Sequence, residues 1–247
     1  MGQVINLDQV RQDQYGKRAK ISVSLKRLAR ENRKQLVNSY PYIKFWLTDI
    51  SLQHYQYFLK QQLAIRNLLE SRILATGEQF NVTNQFTNHH KHFKVVDYLP
   101  SIFQKSNLIK NDLTALGVNL EDTLFEHKFS ASEAELPLFK YIERTAEVYS
   151  VALLGILYMV EDNLYRSGTT VAQALQGSHK IDDQALTYLN AYNNNPNDLW
   201  AFRDSLDSIE DFQSQANIVI AATITFQMFQ DLLEPKNIRK RSLKNSK

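Results

Sequence analysis

Three observations predict an all-α protein. Glycine and proline are scarce, 7 and 5 in 247 residues, too few for the tight turns of a strand-rich fold. Apolar residues recur at steps of three and four, the spacing of one helical face. Alternating runs longer than a few residues do not occur, and no internal repeat is evident. A single helical domain of about seven to nine helices is therefore expected over 18–234. A polar arm (1–17) precedes it and a basic tail (235–247) follows.

From Lys20, the residues Ile21, Leu25, Leu28, Ala29, Asn32 and Leu36 share one face, and Pro41 ends or offsets that helix. Ile43 to Leu47 makes a short apolar return. Ser51 is a good N-cap for a helix running through Tyr55, Phe58, Leu59, Leu63, Ile65, Leu68 and Leu69 to Ile73, with Gly77 expected to close it. Asn81 to Asn88 reads as a loop, and Phe93 to Phe103 is apolar around Pro100. Asn107 to Leu116 makes a compact helix with Leu108, Ile109, Leu113 and Leu116 inward, stopped by Gly117 at C′. Ser130 to Pro137 reads as a linker. Leu138 to about Tyr165 is expected as one long helix and the strongest core candidate. His179 to Asn195 predicts another amphipathic segment, with Ile181, Leu186, Tyr188, Leu189 and Tyr192 inward. Leu199 to Leu206 and Phe212 to Leu233 complete the helices.

The stretch from Leu153 to Leu175 stands out. Val151 to Val160 is an apolar run too short for the ~20 residues that cross a bilayer, so it belongs in the centre of a helical protein. It turns polar at Glu161, Asp162 and Asn163, passes Ser167 and Gly168, and resumes at Val171, Ala172 and Leu175. A buried helix that bends, or admits something beside its backbone, has this pattern.

Composition narrows the chemistry. The hydrophobic fraction of 43% and charged fraction of 22% are ordinary for a globular chain. Without cysteine there is no disulfide, thiolate metal site or thiol nucleophile. That fits a reducing cytosol, and with no secretory pattern in MGQVINLDQV a cytoplasmic location is expected. The net charge is +3, but Lys236 to Lys247 is basic and acid-free, which reads first as a solvated end and otherwise as a contact for nucleic acid, anionic lipid or an acidic partner. The body has no basic stripe, which argues against a nucleic-acid role for the domain.

Conventional catalytic motifs are missing. His89, His90 and His92 lie beside a polar loop without a carboxylate at helical spacing, so they are read as surface residues. No Glu-x-x-His pair of the di-iron type occurs, and Glu143 and Glu147 suit a solvated face. There is no glycine-rich phosphate loop and no nucleophile elbow. No catalytic or metal-ligating residue is assigned.

Four stretches, in order, resemble the heme oxygenase family. LKRLARENRKQL (Leu25 to Leu36) and SLQHYQYFLKQQLAIRNLLESRI (Ser51 to Ile73) are similar to its opening helices, with Tyr55, Phe58, Leu59, Leu69 and Glu70 in the family's pattern. SNLIKNDLTALG (Ser106 to Gly117) is similar to its helix ending in Asp-Leu-x-x-Leu-Gly. The Leu153–Leu175 stretch resembles its distal helix, and ANIVIAATITFQMFQDLL (Ala216 to Leu233) its last. The resemblance covers about 20–234 and implies a single heme-oxygenase-like multi-helix bundle. It implies heme as the cofactor, a histidine on the first helix as iron ligand, and close-packed glycines on the distal helix.

The chain departs from that pattern on both sides. The ligand position falls at Arg33, whose guanidinium stays protonated and has no lone pair for iron. After Glu161 the family's glycine and serine become Asp162 and Asn163, its paired glycines fall near Arg166 and Ser167, and Gly168 is displaced by about one position. Arg33, Val160, Asp162, Asn163, Ser167 and Gly168 are thus the candidate ligand-contacting residues, with heme or another flat, apolar tetrapyrrole-like molecule as ligand. Arg33 could pair with a ligand carboxylate, or bridge to Asp162 or Glu161. Three readings stand: an altered, non-catalytic ligand-binding member, preferred on these departures; an active biliverdin-forming oxygenase with a displaced iron ligand such as His54 or His127; and a helical interaction module with a filled pocket.

Overall fold

A computed structural model describes residues 20–37, 50–83, 105–120, 136–209 and 211–233. Among them there are helices and turns and no strand. We label the helices α1 (Ile21–Val37), α2 (Leu52–Thr83), α3 (Lys105–Ala115), α4 (Leu136–Val148), α5 (Leu153–His179), α6 (Asp198–Ser205) and α7 (Phe212–Leu233). Three short 3-10 turns, Ser150–Ala152, Asp183–Ala185 and Leu206–Ser208, punctuate the second half. The polar arm, the 89–92 histidines, His127 and the basic tail lie outside the described residues.

α5 lies in the middle, in contact with α7, α2, α4 and α6. Every residue from Ala152 to Asp162 is buried, as an all-round apolar run requires. Close approach to α7 depends on Gly155, where a Cβ would fall 2.0 Å from the Ile218 carbonyl oxygen. α3 packs on α2, and α1 packs on α7, α6 and the 206–208 turn. The inward faces of α1 (Ile21, Leu25, Ala29) and α3 (Ile109, Leu113) are those the spacing predicts.

Caps fix several ends. Ser51 Oγ accepts from the His54 amide at 3.2 Å, and the His54 ring Nδ1 lies 3.4 Å from the Ser51 amide in return, satisfying first-turn donors of α2. Gly117 takes φ +74° after α3, the left-handed C′ conformation that a Cβ disfavours. At the start of α1 the cap comes from far along the chain. Asp207 accepts from the Ser22 amide at 2.9 Å and from Ser22 Oγ at 2.7 Å.

Three expectations need correction. Gly77 does not end α2, which continues to Thr83; a glycine within a helix costs only about 1 kcal/mol against alanine, and a stop needs a left-handed residue there. The expected long helix from Leu138 is two helices. Tyr149 leaves helical geometry at φ −144°, ψ 64°, because α4 keeps one exposed face (Val148 and Tyr149 are open) while α5 opens on a run buried all round, to Asp162. The chain changes direction to enter the core, which an unbroken apolar rhythm conceals. Finally, 181–192 is not an amphipathic α-helix but the 183–185 turn followed by further turns. Its apolar residues Leu186, Tyr188, Leu189 and Tyr192 are buried as expected. The amides of Thr187 and Tyr188, however, donate to the Asp112 carboxylate of α3 at 2.9 and 3.0 Å, a side-chain substitute for helical bonding.

Two acids on the central helix: the candidate functional site

Glu161 and Asp162 end the apolar run of α5. Consecutive helical residues point about 100° apart, so the two carboxylates face different neighbours. Both are buried, at 0% and 3% exposure.

Glu161 faces α2, α3 and the 187–192 turns. Its Oε1 accepts from Arg66 Nη1 at 2.6 Å, and its Oε2 from Lys105 Nζ at 2.7 Å and from the Tyr192 hydroxyl. Arg66 Nε donates to the Tyr188 hydroxyl at 3.2 Å, which donates to Gln62 Oε1 at 3.1 Å. The cations also lie against rings, Arg66 5.0 Å from the Tyr188 centroid and Lys105 4.3 Å from that of Tyr192, distances at which the ring quadrupole attracts a cation.

Electrostatics follow from this enclosure. Burial disfavours the Glu161 charge, yet Arg66 and Lys105 outweigh it and hold the carboxyl below its ordinary value. Burial opposes the Arg66 charge too, and Glu161 and Tyr188 raise its pKa above the usual one. For Lys105 burial wins, aided by Arg66, and its pKa is lowered despite Glu161. Burial, then Glu161, pushes the Tyr192 phenol up. Beside this Arg66–Glu161–Lys105 triad, Glu70 accepts from the Ser106 amide (3.3 Å) and hydroxyl (2.7 Å), anchoring the start of α3.

Asp162 faces α6. Its Oδ2 accepts from Arg166 Nε at 2.6 Å, one helical turn on, and the Arg166 side chain is 34% exposed. Burial raises the Asp162 pKa, with Arg166 and Tyr158 pulling against it. Arg203 acts on Tyr158 from α6 and binds Asp204 while lying over Trp200. Tyr165 links the two sides, edge-on to Tyr192 at 5.4 Å and to Trp200 at 6.4 Å.

The predicted site residues are only partly brought together. Asp162 joins Tyr158 and Arg166. Val160 is buried, Asn163 half-buried, and Ser167 is exposed, its hydroxyl donating to the Asn163 carbonyl at 2.7 Å. Gly168 is buried against protein: a Cβ there would fall 2.2 Å from the Leu189 carbonyl oxygen. Arg33 lies in the second half of α1, with its side chain outside what the structure describes, and with it any bridge to Asp162 or Glu161. The described partners of Glu161 are Arg66, Lys105 and Tyr192.

Sequence reading missed Arg66, Lys105, Tyr188, Tyr192 and Gln62 as a site. One signal was present: Arg66 and Glu70 continue the inward rhythm of Tyr55, Leu59 and Leu63, and a charge in a core register asks for a buried partner. Among the described residues no group of histidines and acids suits a metal ion, and no helix is long and apolar enough to cross a membrane.

No family model matches the sequence, and no curated protein does. Among solved structures, the crystal structure of heme oxygenase-1 from the cyanobacterium Synechocystis, in complex with heme, matches with a TM-score of 0.65. The match covers 90% of this chain and 96% of that one at 14% identity. At that identity the likeness shows the fold, which is heme-oxygenase-like.

Proposed function

We propose that the chain is a heme-oxygenase-like protein that binds a flat, apolar ligand of the tetrapyrrole class between α1 and α5, without the iron ligation and turnover of an oxygenase. The observation that carries this reading is the chemistry of α1, which contains no histidine and has Arg33 where the resemblance puts the iron ligand. Arginine offers no lone pair and suits pairing with a carboxylate.

The other wall supports the same reading. Gly168 meets the Leu189 backbone, so it leaves no bare approach to a ligand of the kind for which glycine is used. Asp162 and Arg166 form a side-chain bridge where the family resemblance implies backbone alone. These residues do not fit an iron-ligated heme, and no step of oxygen chemistry is derived through one.

Titration with hemin and with iron-free protoporphyrin tests the reading. Both are expected to bind with similar affinity, hemin without the sharp Soret band of a nitrogen-ligated iron. Arg33→Ala should weaken both about 5- to 50-fold, the loss of one ligand ion pair. Bilin formation on adding reductant and oxygen would overturn it in favour of an active oxygenase. Binding of neither compound would leave the fold as an interaction module with a filled pocket.

A further inference from the structure

We infer that the buried Arg66–Lys105 pair forms an interior site for a small monovalent anion, on the Glu161 side of α5 and independent of the ligand proposed above. Three observations converge on it. The first is charge: Arg66 (1% exposed) and Lys105 (6%) share the single carboxylate of Glu161 (0%). A buried charge without a counter-charge is strongly disfavoured.

The second is that no other described carboxylate bonds to either cation, although Asp198 acts on Lys105 and Glu70 on the neighbouring Tyr188 through space. Glu70 gives its two oxygens to Ser106, and Asp112 gives its two to Thr187 and Tyr188. The third is an orphaned donor. Arg66 Nη1 and Nε are bonded, whereas Nη2 is buried with no hydrogen-bond partner. Native proteins rarely leave such a group unmet.

The missing partner must accept a hydrogen bond. Water does that, but it leaves the surplus charge in place, whereas a halide or formate-sized anion answers both needs. Larger dianions such as phosphate would overcompensate one surplus charge. Burial lowers the Lys105 pKa, with Arg66 adding to it and Glu161 and Asp198 opposing, so an anion alongside would help to hold its proton. Anion binding is therefore coupled to keeping Lys105 protonated, and should weaken as pH rises toward the alkaline range.

Bromide is the probe. The full-length protein crystallised from sodium bromide should show an anomalous peak within hydrogen-bond distance of Arg66 Nη2. In solution, bromide replacing gluconate at constant ionic strength should raise the thermal midpoint saturably by a few degrees, as a native-state ligand does. Arg66→Lys, which keeps the charge and removes Nη2, should abolish that rise. If Arg66→Lys fails to fold, Lys105→Met takes its place, removing the surplus charge and with it the bromide response. A water without anomalous signal at Nη2, together with equal midpoints in bromide and gluconate, would overturn the inference.

Discussion

The two acids of α5 are neighbours in sequence and opposites in circumstance. Glu161 is held by cations from two other helices and by the Tyr192 hydroxyl, so its charge is kept. Asp162 is nearly as buried but has one half-open arginine from its own helix, and burial pushes it toward the neutral form. Burial alone therefore does not set a carboxylate's state; the number and origin of its partners do. A partner from a distant helix ties the fold together, while a partner one turn away ties only the helix to itself.

The largest expected effect breaks the Glu161 side. Glu161→Leu leaves Arg66 and Lys105 buried without their counter-charge and should cost about 3–5 kcal/mol in urea unfolding. Adding Arg66→Met and Lys105→Met to Glu161→Leu, so that all three charges become apolar, should restore most of that loss. A cost for Glu161→Leu no larger than that of removing the Asp162 charge would refute the contrast.

Next in size is the backbone contact shared by the two sides. Gly168→Ala places a methyl against the Leu189 carbonyl and should cost about 1–3 kcal/mol, as overpacking does. The 187–192 turns carry Tyr188 and Tyr192, so that strain should reach the Glu161 triad and show as altered tyrosine fluorescence. Unchanged stability would mean that the turns yield freely and hold the triad less firmly than their hydrogen bonds imply.

The smallest effect belongs to Asp162. Asp162→Asn should change stability at neutral pH by about 1 kcal/mol or less, since its partner is partly solvated. The pH dependences sharpen the comparison, because the signs are opposite. Glu161, with a lowered folded pKa, contributes stability above its ordinary value of about 4.3 that is lost as pH falls through the folded one. Asp162, with a raised one, contributes stability below its ordinary value of about 3.9 that is lost as pH rises through the folded one. Denaturation midpoints of Glu161→Gln and Asp162→Asn against pH should therefore each flatten a slope of opposite direction; slopes of the same sign would contradict the assignment.

Much of the fold was legible in the sequence. α1, α3, α6 and α7 follow from apolar spacing and from cap residues such as Gly117, because both act over one or two turns. The α4–α5 break at Tyr149 was hidden because the apolar rhythm continues across it, and only the change from one buried face to all-round burial forces a new axis. The 181–192 segment looked helical because Leu186, Leu189 and Tyr192 hold helical spacing, while its amides are met by Asp112, 75 and 76 positions away. The site divides in the same way. The Asp162–Arg166 bridge is an i,i+4 pair readable from spacing, whereas the Glu161 partners lie 95 and 56 positions distant, a pairing that one-dimensional periodicity does not encode.

The cap on α1 has a consequence for the order in which the molecule is made. The Asp207 carboxylate that holds the Ser22 amide is 185 residues downstream, and no acidic residue lies in the first turn of α1 to stand in for it. A nascent chain therefore has its first helix emerge long before its clasp. The start of α1 gains this clasp only when Asp207 has left the ribosome, so chains stopped short of that residue should show a frayed, protease-sensitive start to α1.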